Sequence, residues 1–391
     1  MQVYKGLDII SNKVTPEEQQ LVPHHMIDIV EPTTNYSVVK FRDACLSAIE
    51  DLRSRRKLPV IVGGTNYYIE SVLWKVLIAD GEESKDDLIS AKSAAAAAAA
   101  GESSGRGHLE SLTTAELYRK LEQCDPVQAG VLHPNERRKI LRSLEVVLRS
   151  GLPMSEHLRR QRAEAGGGAL GGPLRFGRAC LLWVTAEQAT LDARLDARVD
   201  TMLARGLLAE LADFHRRHNA PRLPAGRAAD YTHGVFQTIG FKEFHAFLTL
   251  PEAEADSAEG RRLLAEGVER LKTVTRRYAR KQTRWVRRRF LSAAGRQVPP
   301  LYRLDATEPA EWAEGREPEQ RPEPPLPAAD GDRHTTHYCA VCDVYTSGEK
   351  QRDEHLSSRR HSRALQGRRR KQRREAPQHG AAAAERGSAV R

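Results

Sequence analysis

The chain has 391 residues, 40% of them hydrophobic, and carries a formal net charge of +10 at pH 7. That length and hydrophobic content exclude a fully disordered protein and allow either two domains or one domain with an appendage. No apolar run is long enough to span a bilayer, and the N-terminus has neither a secretory h-region nor an Arg/Ser-rich mitochondrial presequence, so the sequence predicts a soluble cytoplasmic protein.

Cysteine usage indicates a reducing compartment. The chain has five cysteines, and only Cys339 and Cys342 lie close together in the sequence. Scattered cysteines of this kind do not form the framework of a disulfide-rich domain.

The first predicted elements are a short strand at His24–Ile29 and a helix from Tyr36 to Leu52. Adjacent residues on a strand point to opposite faces, so we expect His24 and His25 to have a structural or loop role rather than to share a metal ion. No G-x-x-x-x-G-K-[ST] phosphate loop occurs in the chain. The sequence therefore does not favour an unrelated P-loop kinase or NTPase.

An apolar segment, Leu58–Val62, is followed by the pair Gly63-Gly64 and by a helical pattern that includes Ile69. This order predicts a buried strand, a glycine turn and a helix. After a parallel strand, such a turn presents the backbone N–H groups of a helix N-terminus to a ligand, and glycines allow close approach. The alternative is a tight turn with Thr65 as the helix N-cap, and the residues alone leave both interpretations open.

The middle of the chain is predicted to be helical. The alanine run Ala94–Ala100 belongs to a low-complexity insert at 91–107, and helices follow from Leu109 to Gly151. Arg138 and Arg142 are four residues apart and share a helix face. The apolar run Cys180–Val184 then predicts a strand, so a helical module is inserted between strands of one sheet.

The next predicted elements are a helix from Leu191 to Met202 and a glycine-punctuated turn from Gly234 to Phe244 that leads into another helix. A long basic helix follows, and its apolar stripe through Tyr278 and Trp285 leaves the arginines free to face outward. The stretch Gln297–Asp332 is dense in Pro, Glu and Ala and is predicted to be a linker.

Four residues near the C-terminus have the spacing of a zinc site: Cys339, Cys342, His355 and His361. Zn²⁺ takes four N or S ligands in a tetrahedron, so we expect a hairpin turn to bring the thiolates together and a helix to bring the histidines. The site predicts a structural Zn²⁺ in a C2H2 finger. The five residues between the histidines resemble the matrin/U1-type finger, a class associated with RNA binding.

Two basic elements, the helix that contains Arg276–Arg289 and the run Arg368–Arg374, indicate a polyanionic partner such as nucleic acid. Either element alone is typical of a solvated helix or a disordered tail. The C-terminal run could add phosphate contacts or serve as a nuclear localisation signal.

Several motifs follow one another in a fixed order. They are Met1-Gln2-Val3-Tyr4, Leu7-Asp8-Ile9-Ile10, His24-His25-Met26-Ile27-Asp28, Val62-Gly63-Gly64-Thr65-Asn66-Tyr67-Tyr68, His133-Pro134-Asn135, Arg142-Ser143-Leu144-Glu145-Val146, Arg198-Val199-Asp200, Gln237-x-Ile239-Gly240-Phe241 and Arg277-Tyr278-Ala279-Arg280-Lys281-Gln282. Together they resemble the eukaryotic tRNA dimethylallyltransferase (tRNA isopentenyltransferase) family from Met1 to about Leu291. The C-terminal finger resembles that of the animal members.

The resemblance implies an α/β fold: a P-loop-like parallel-sheet core, N-terminally truncated in this chain, with an inserted helical domain and a C-terminal C2H2 zinc finger. It implies transfer of a dimethylallyl group from dimethylallyl diphosphate to the N6 amine of the adenine 3′-adjacent to the anticodon, with release of pyrophosphate. The implied partners are the tRNA anticodon stem-loop and dimethylallyl diphosphate, with Mg²⁺ accompanying the diphosphate. We expect a monomer.

The resemblance also implies roles for individual residues. The implied catalytic residues are Thr65 and Gln237. The implied tRNA-binding residues are Met1, Gln2, Thr65, Arg138, Lys139, Ile140, Leu141 and Arg142. The implied diphosphate-binding residues are Gln237, Arg277, Arg280 and Lys281.

The sequence departs from the family pattern at its start. The Asp that serves as general base in the family would precede Met1, and it is absent from this sequence together with the first strand and the phosphate loop. We hypothesise a truncated gene model or isoform of a full-length transferase, whose own activity is left open. The alternative is a catalytically dead RNA-binding zinc-finger protein.

The predicted organisation has six parts. They are the α/β core at 1–108, the tRNA-clasping helical region at 109–172, the remainder of the core with the basic helix at 173–296, a linker at 297–332, the finger with its basic tail at 333–375 and a disordered end at 376–391.

Overall fold

The computed structural model describes residues 1–75, 102–222, 229–231, 234–292, 296–308, 310, 322–326, 336–342 and 344–375. It divides the chain into two compact units, and each unit combines two stretches of sequence. The first unit comprises Met1–Ser84 and Gln161–Ala328, and the second comprises Lys85–Arg160 and Ala329–Arg391. The predicted low-complexity alanine run lies outside the described residues.

The described residues are mostly helical. In chain order the α-helices are α1 Pro16–Leu21, α2 Val38–Ser54, α3 Asn66–Leu73, α4 Glu102–Ser111, α5 Thr114–Cys124, α6 Pro126–Val131, α7 Arg137–Ser150, α8 Met154–Ala163, α9 Gln188–Ala204, α10 Leu207–His218, α11 His245–Leu248, α12 Ala258–Trp285, α13 Gly348–Leu356 and α14 Arg359–Glu375. The strands are β1 Leu181–Thr185, β2 Leu301–Asp305, β3 Thr336–Cys339 and β4 Val344–Ser347. Helix α4 begins at Glu102, inside the predicted low-complexity insert at 91–107.

Strands β1 and β2 form a parallel pair in the first unit, with Leu181 opposite Leu301 and Thr185 opposite Asp305. This confirms the predicted strand near residues 180–184. The linker prediction for 297–332 is wrong at β2. Its Pro and Glu content is typical of a linker, but Leu301 is 3% exposed and anchors the strand in the core.

Two other predicted strands are absent from the described part of the chain. Segment 58–62 lies in neither a helix nor a strand and forms no backbone hydrogen bond with another described segment, and Val60 and Val62 are 73% and 89% exposed. Segment 24–29 is interrupted by Met26 and Asp28, which have φ values of 65° and 55°. Positive φ angles are incompatible with an extended strand, and apolar content alone does not supply a hydrogen-bonded neighbour.

The first unit has two main hydrophobic clusters. The larger joins the N-terminal segment to α9, α10 and α12 and to the turns at 234–244. Its fully buried side chains include Leu207, Leu211, Val235, Phe241 and Phe244. The second cluster packs the end of α3 against the π-helical turn Val286–Phe290 and β2, and here the rings of Trp74 and Phe290 stack with 5.2 Å between centroids.

Helices α9 and α12 are joined by a row of ion pairs. Their acidic and basic partners each repeat every four residues, which places each set along one helix face. The pairs are Asp192 with Arg280, Asp196 with Arg276 and Asp200 with Lys272. This row fixes which face of the basic helix α12 remains open to solvent.

The second unit has its own core, formed by α4 to α7. Leu117, Leu121 and Ile140 are completely buried in it. Within the same unit, the imidazole of His133 meets the ring of Tyr345 on β4 edge-on, with 5.8 Å between centroids. The finger hairpin therefore contacts the helical module rather than standing apart from it.

A membrane-crossing helix is not found among the residues that the structure describes, because none of their helices combines sufficient length with sufficient apolar character.

Candidate functional site

The turn Gly63-Gly64-Thr65 leads into α3, as the sequence predicts. Thr65 occupies the N-cap position, but its side chain accepts no hydrogen bond from the first turn of the helix. Thr65 therefore has the predicted N-cap position, but its hydroxyl does not form the hydrogen bond that an N-cap side chain usually accepts.

Helix α12 supplies the missing cap. The side-chain carbonyl of Gln282 accepts hydrogen bonds from the backbone N–H and from the side-chain amide of Asn66, both at 3.0 Å. One helical turn earlier, the hydroxyl of Tyr278 lies 3.2 Å from the hydroxyl of Thr65. These contacts bring the glycine turn and the basic helix together across more than 200 residues of sequence.

The basic residues of α12 divide by face. Arg277 and Lys281 each precede one of the residues that contact the turn, and both are exposed. Arg280 forms an ion pair with Asp192 and lies on the face toward α9. All three sequence-predicted diphosphate residues on this helix are thus exposed, and Arg280 is in addition paired with a carboxylate.

The N-terminal segment is held by a buried lysine. The ammonium of Lys13 donates to the carbonyls of Tyr4 and Gly6 at 2.7 and 3.1 Å and pairs with Asp8 and Asp28 at 2.6 and 2.5 Å. Its side chain is 3% exposed. An ammonium at this depth requires such partners, and they fix the loop from both ends.

Gln2 lies on the outer side of that loop. Its side-chain amide donates to the carbonyls of Ser11 and Asn12 at 3.2 and 2.7 Å. Gln2 is exposed, and Met1 is 43% exposed. Both sequence-predicted residues are accessible to a ligand.

Gln237 ends a short 3-10 turn, Gly234–Gln237, and is exposed. This turn is fastened to the loop that follows the Gln2 segment, because the N–H of Val235 donates to the carbonyl of Pro32 at 3.1 Å. In the same loop the N–H of Asp28 donates to the carbonyl of Gln2 at 3.1 Å. One loop therefore brings the Gln2 segment and the Gln237 turn together.

Sequence reasoning missed a buried carboxylate beside the glycine turn. Glu70 of α3 accepts hydrogen bonds from Arg289 at 2.6 Å, from Arg296 at 2.8 Å and from the indole N–H of Trp285 at 3.1 Å. Burial lowers the pKa of Arg296, and the charge of Glu70 opposes that effect. The signal in the sequence is a single acid within an otherwise uncharged helix, Asn66–Leu73.

The sequence-predicted tRNA contacts on α7 differ in how exposed they are. Arg138 and Lys139 are exposed, and Leu141 and Arg142 are half-buried. Ile140 is completely buried in the core of the second unit, so its side chain faces away from any RNA on the surface. The Ile140 side chain therefore supports the helix that carries the two basic residues, and any tRNA contact of Ile140 would be made through its backbone.

The four predicted zinc ligands lie together in the finger. Their donor atoms are all within 4.8 Å of one another. Nδ1 of His361 lies 3.4 Å from Sγ of Cys339, 3.5 Å from Sγ of Cys342 and 3.2 Å from Nε2 of His355. Tetrahedral zinc with ordinary Zn–N and Zn–S bonds separates its ligands by about 3.3–3.8 Å, so the two thiolates and two imidazoles fit Zn²⁺.

The histidines come from two helices rather than from one as predicted. His355 lies in α13 and His361 in α14, and Ser357 and Ser358 lie between the two helices. The Ser358 hydroxyl accepts a hydrogen bond from the N–H of His361 at 3.1 Å and so begins the second helix. The long spacing between the histidines is therefore used for a break between helices.

Comparison with protein families supports both parts of this description. The model of the IPP transferase family matches residues 2–289. The model of a C2H2-type zinc finger matches residues 337–361.

Named proteins match over most of their length. A tRNA dimethylallyltransferase of Mus musculus is 45% identical over 388 residues, which cover 95% of this chain and 80% of the mouse protein. A tRNA dimethylallyltransferase of Homo sapiens is 45% identical over 389 residues, with the same two coverages. A crystal structure of a eukaryotic dimethylallyltransferase acting on tRNA matches with a TM-score of 0.73 and 30% identity, covering 96% of this chain and 90% of that one.

Proposed function

Because the chain belongs to the IPP transferase family, we propose that it transfers a dimethylallyl group from dimethylallyl diphosphate to the N6 amine of the adenine 3′-adjacent to the anticodon of a tRNA. The observation that carries this proposal is the match along 95% of the chain to proteins named tRNA dimethylallyltransferase. The chain is thus a transferase and its macromolecular substrate is a tRNA.

The reaction forms one bond and breaks another. The lone pair of N6 forms a C–N bond to the allylic carbon, the C–O bond to the diphosphate breaks, and its electron pair leaves with pyrophosphate. The amine loses one proton to a base. We propose that the Thr65 hydroxyl accepts a hydrogen bond from the amine and that Gln2 contacts the flipped adenine, because both side chains present oxygen atoms at an accessible surface.

The departing pyrophosphate requires cations and hydrogen-bond donors. We propose that Arg277 and Lys281 supply the charge, since both are exposed beside the residues that hold the glycine turn. The amide of Gln237 would donate to a phosphate oxygen. Arg280 would join only by exchanging its partner Asp192 for the diphosphate.

Mg²⁺ would accompany the diphosphate and neutralise part of its charge. Among the described residues, the zinc ligands are the one group of three or more His, Cys, Asp or Glu side chains placed to hold a metal ion. We therefore propose that Mg²⁺ is held mainly by diphosphate oxygens and water, which is the usual arrangement for this ion.

The tRNA would meet the second unit through Arg138, Lys139 and Arg142 on α7. The Zn²⁺ of the finger would be structural, because four protein ligands leave no open position for catalysis. We propose a monomer that acts in the cytoplasm, with the basic C-terminal run as a candidate nuclear localisation signal.

The test is transfer of label from dimethylallyl diphosphate to an anticodon stem-loop RNA. We expect label in an RNA with adenine at the modified position and none in a matched RNA with guanine there. Absence of label from both, with RNA binding retained, would contradict the proposal and favour the RNA-binding alternative.

A further inference from the structure

The N-terminus of α3 is capped in an unusual way. A threonine at an N-cap ordinarily accepts a hydrogen bond from the backbone N–H two or three residues later. Thr65 makes no such bond: its backbone carbonyl accepts from the N–H of Tyr68 at 2.9 Å, and the side chain of Gln282 accepts from the N–H of Asn66. The Thr65 hydroxyl is therefore not used within α3 and lies 3.2 Å from the hydroxyl of Tyr278.

Two side chains of one neighbouring helix thus act on one turn. Gln282 accepts from the backbone N–H and the side-chain amide of Asn66, and Tyr278 contacts the hydroxyl of Thr65. An ordinary packing contact between helices would be satisfied by apolar side chains and would leave the N-cap bond within α3. The arrangement therefore favours control of the Thr65 side chain.

We propose that Tyr278 and Gln282 are positioning residues that hold the Thr65 hydroxyl toward the reacting amine; this rests on the proposed function, in which Thr65 contacts that amine. A hydroxyl has one proton and two acceptor lone pairs. When Tyr278 donates to Thr65, one lone pair and the proton of Thr65 remain for the substrate, in a fixed direction. Neither positioning residue touches the substrate itself.

The main test is a double-mutant cycle of Tyr278→Phe and Thr65→Val in the full chain, measured by dimethylallyl transfer. Tyr278→Phe keeps the ring and removes one neutral hydrogen bond, so we expect kcat to fall roughly fivefold with KM for the RNA little changed. In the Thr65→Val background the same substitution should have no further effect. Equal fold-losses in both backgrounds would overturn the proposal, because Tyr278 would then act independently of Thr65.

Gln282 is tested by conservative rescue. Gln282→Glu keeps an acceptor oxygen for Asn66 and should retain most of the activity, whereas Gln282→Leu should lose roughly tenfold in kcat. Arg270→Gln, at a 62% exposed position of the same helix, is the matched control and should leave kcat unchanged. Equal activity of the Glu and Leu variants of Gln282 would contradict its role.

A binding measurement separates this inference from the proposed function. If the unaltered chain transfers no label, the proposed function fails. The inference is then tested by measuring the affinity of the chain for two stem-loop RNAs. One has adenine at the modified position, and the other has purine there, which lacks the amine. We expect several-fold preference for adenine that Tyr278→Phe reduces; lack of any preference, or a preference untouched by that variant, would overturn the inference.

Discussion

The carboxylate of Glu70 and the guanidinium of Arg296 lie 2.8 Å apart, with side chains 3% and 0% exposed, although 226 residues separate them in the chain. Such a pair stabilises a fold only while both members are present, because either charge alone would be buried without compensation.

We therefore expect Glu70→Gln to lower the free energy of unfolding by about 3–5 kcal/mol, since Arg289 and Arg296 would lose their common counter-charge. Urea unfolding of the full chain measures this change. Glu50→Gln, on the exposed face of α2, is the control and should change the value by less than about 0.5 kcal/mol. Equal effects of the two variants would show that the buried pair is not important for stability.

The finger should depend on zinc while the first unit does not. Cys342→Ser removes one of four ligands and should release the metal, because a structural zinc site binds the ion through all four of its protein ligands. Zinc content by metal analysis and RNA affinity should both fall. Amide protection of the β1–β2 pair should stay unchanged. Full zinc occupancy in the variant would contradict the assignment of these ligands.

Stability should decline as the solution is acidified from pH 7 to pH 5. Burial lowers the pKa of His215 and of His218 below the ordinary value of 6.5. Above pH 6.5 these imidazoles are neutral in the folded and in the unfolded chain. Below pH 6.5 the unfolded chain takes up protons that the folded chain does not. The contribution of these two histidines to the free energy of unfolding is therefore lost as the pH falls. The loss is up to about 1.4 kcal/mol for each unit by which the folded-state pKa lies below the unfolded-state pKa.

The measurement is urea unfolding at several pH values. His215→Gln should flatten the dependence, since it removes one of the histidines whose pKa is lowered by burial. His24→Gln, at an exposed position, should leave the dependence as it is. If the free energy of unfolding of the His215 variant fell more steeply with decreasing pH than that of the unaltered chain, the prediction would be contradicted.

Arg138 should contribute to RNA affinity by charge. Arg138→Gln removes one exposed cation from α7, so binding of the stem-loop should weaken and the salt dependence of log Kd should decrease by about one phosphate contact. Arg270→Gln makes the same change of net charge elsewhere. If both variants shift the salt dependence equally, only the total charge matters and α7 is not a specific contact.

Gly234 should be irreplaceable at its turn. Its φ is +52°, and a Cβ there would lie 2.3 Å from the carbonyl oxygen of Pro32. Gly234→Ala should lower the free energy of unfolding by more than about 1 kcal/mol and displace Gln237, with loss of transfer activity. Gly130→Ala is the control, since nothing lies within 4 Å of the added atom.

Long helices such as α2, α9 and α12 could be predicted from the sequence because their apolar residues repeat at helical spacing. The basic helix, for example, was expected from its stripe through Tyr278 and Trp285 and is observed as Ala258–Trp285. The zinc ligands could be predicted equally well, since zinc chemistry fixes their residue types and spacing.

The strands and the support of the site were less predictable. An apolar run such as 58–62 looks the same in the sequence whether or not another strand is available to form backbone hydrogen bonds with it. The five-residue β2 was hidden by the prolines around it. The bonds from Gln282 to Asn66 and from Tyr278 to Thr65 join residues more than 200 positions apart, and no local pattern encodes such contacts.

The discontinuous first unit has a consequence for the order of synthesis. Arg296 leaves the ribosome 226 residues after Glu70, and at about 5–20 residues per second that interval lasts roughly 10–45 s. During this time the nascent N-terminal part holds an acidic side chain and an indole, Trp74, whose burying partners have not yet been made. We therefore expect this stretch to be a substrate for ribosome-associated chaperones, and expression to be sensitive to their depletion.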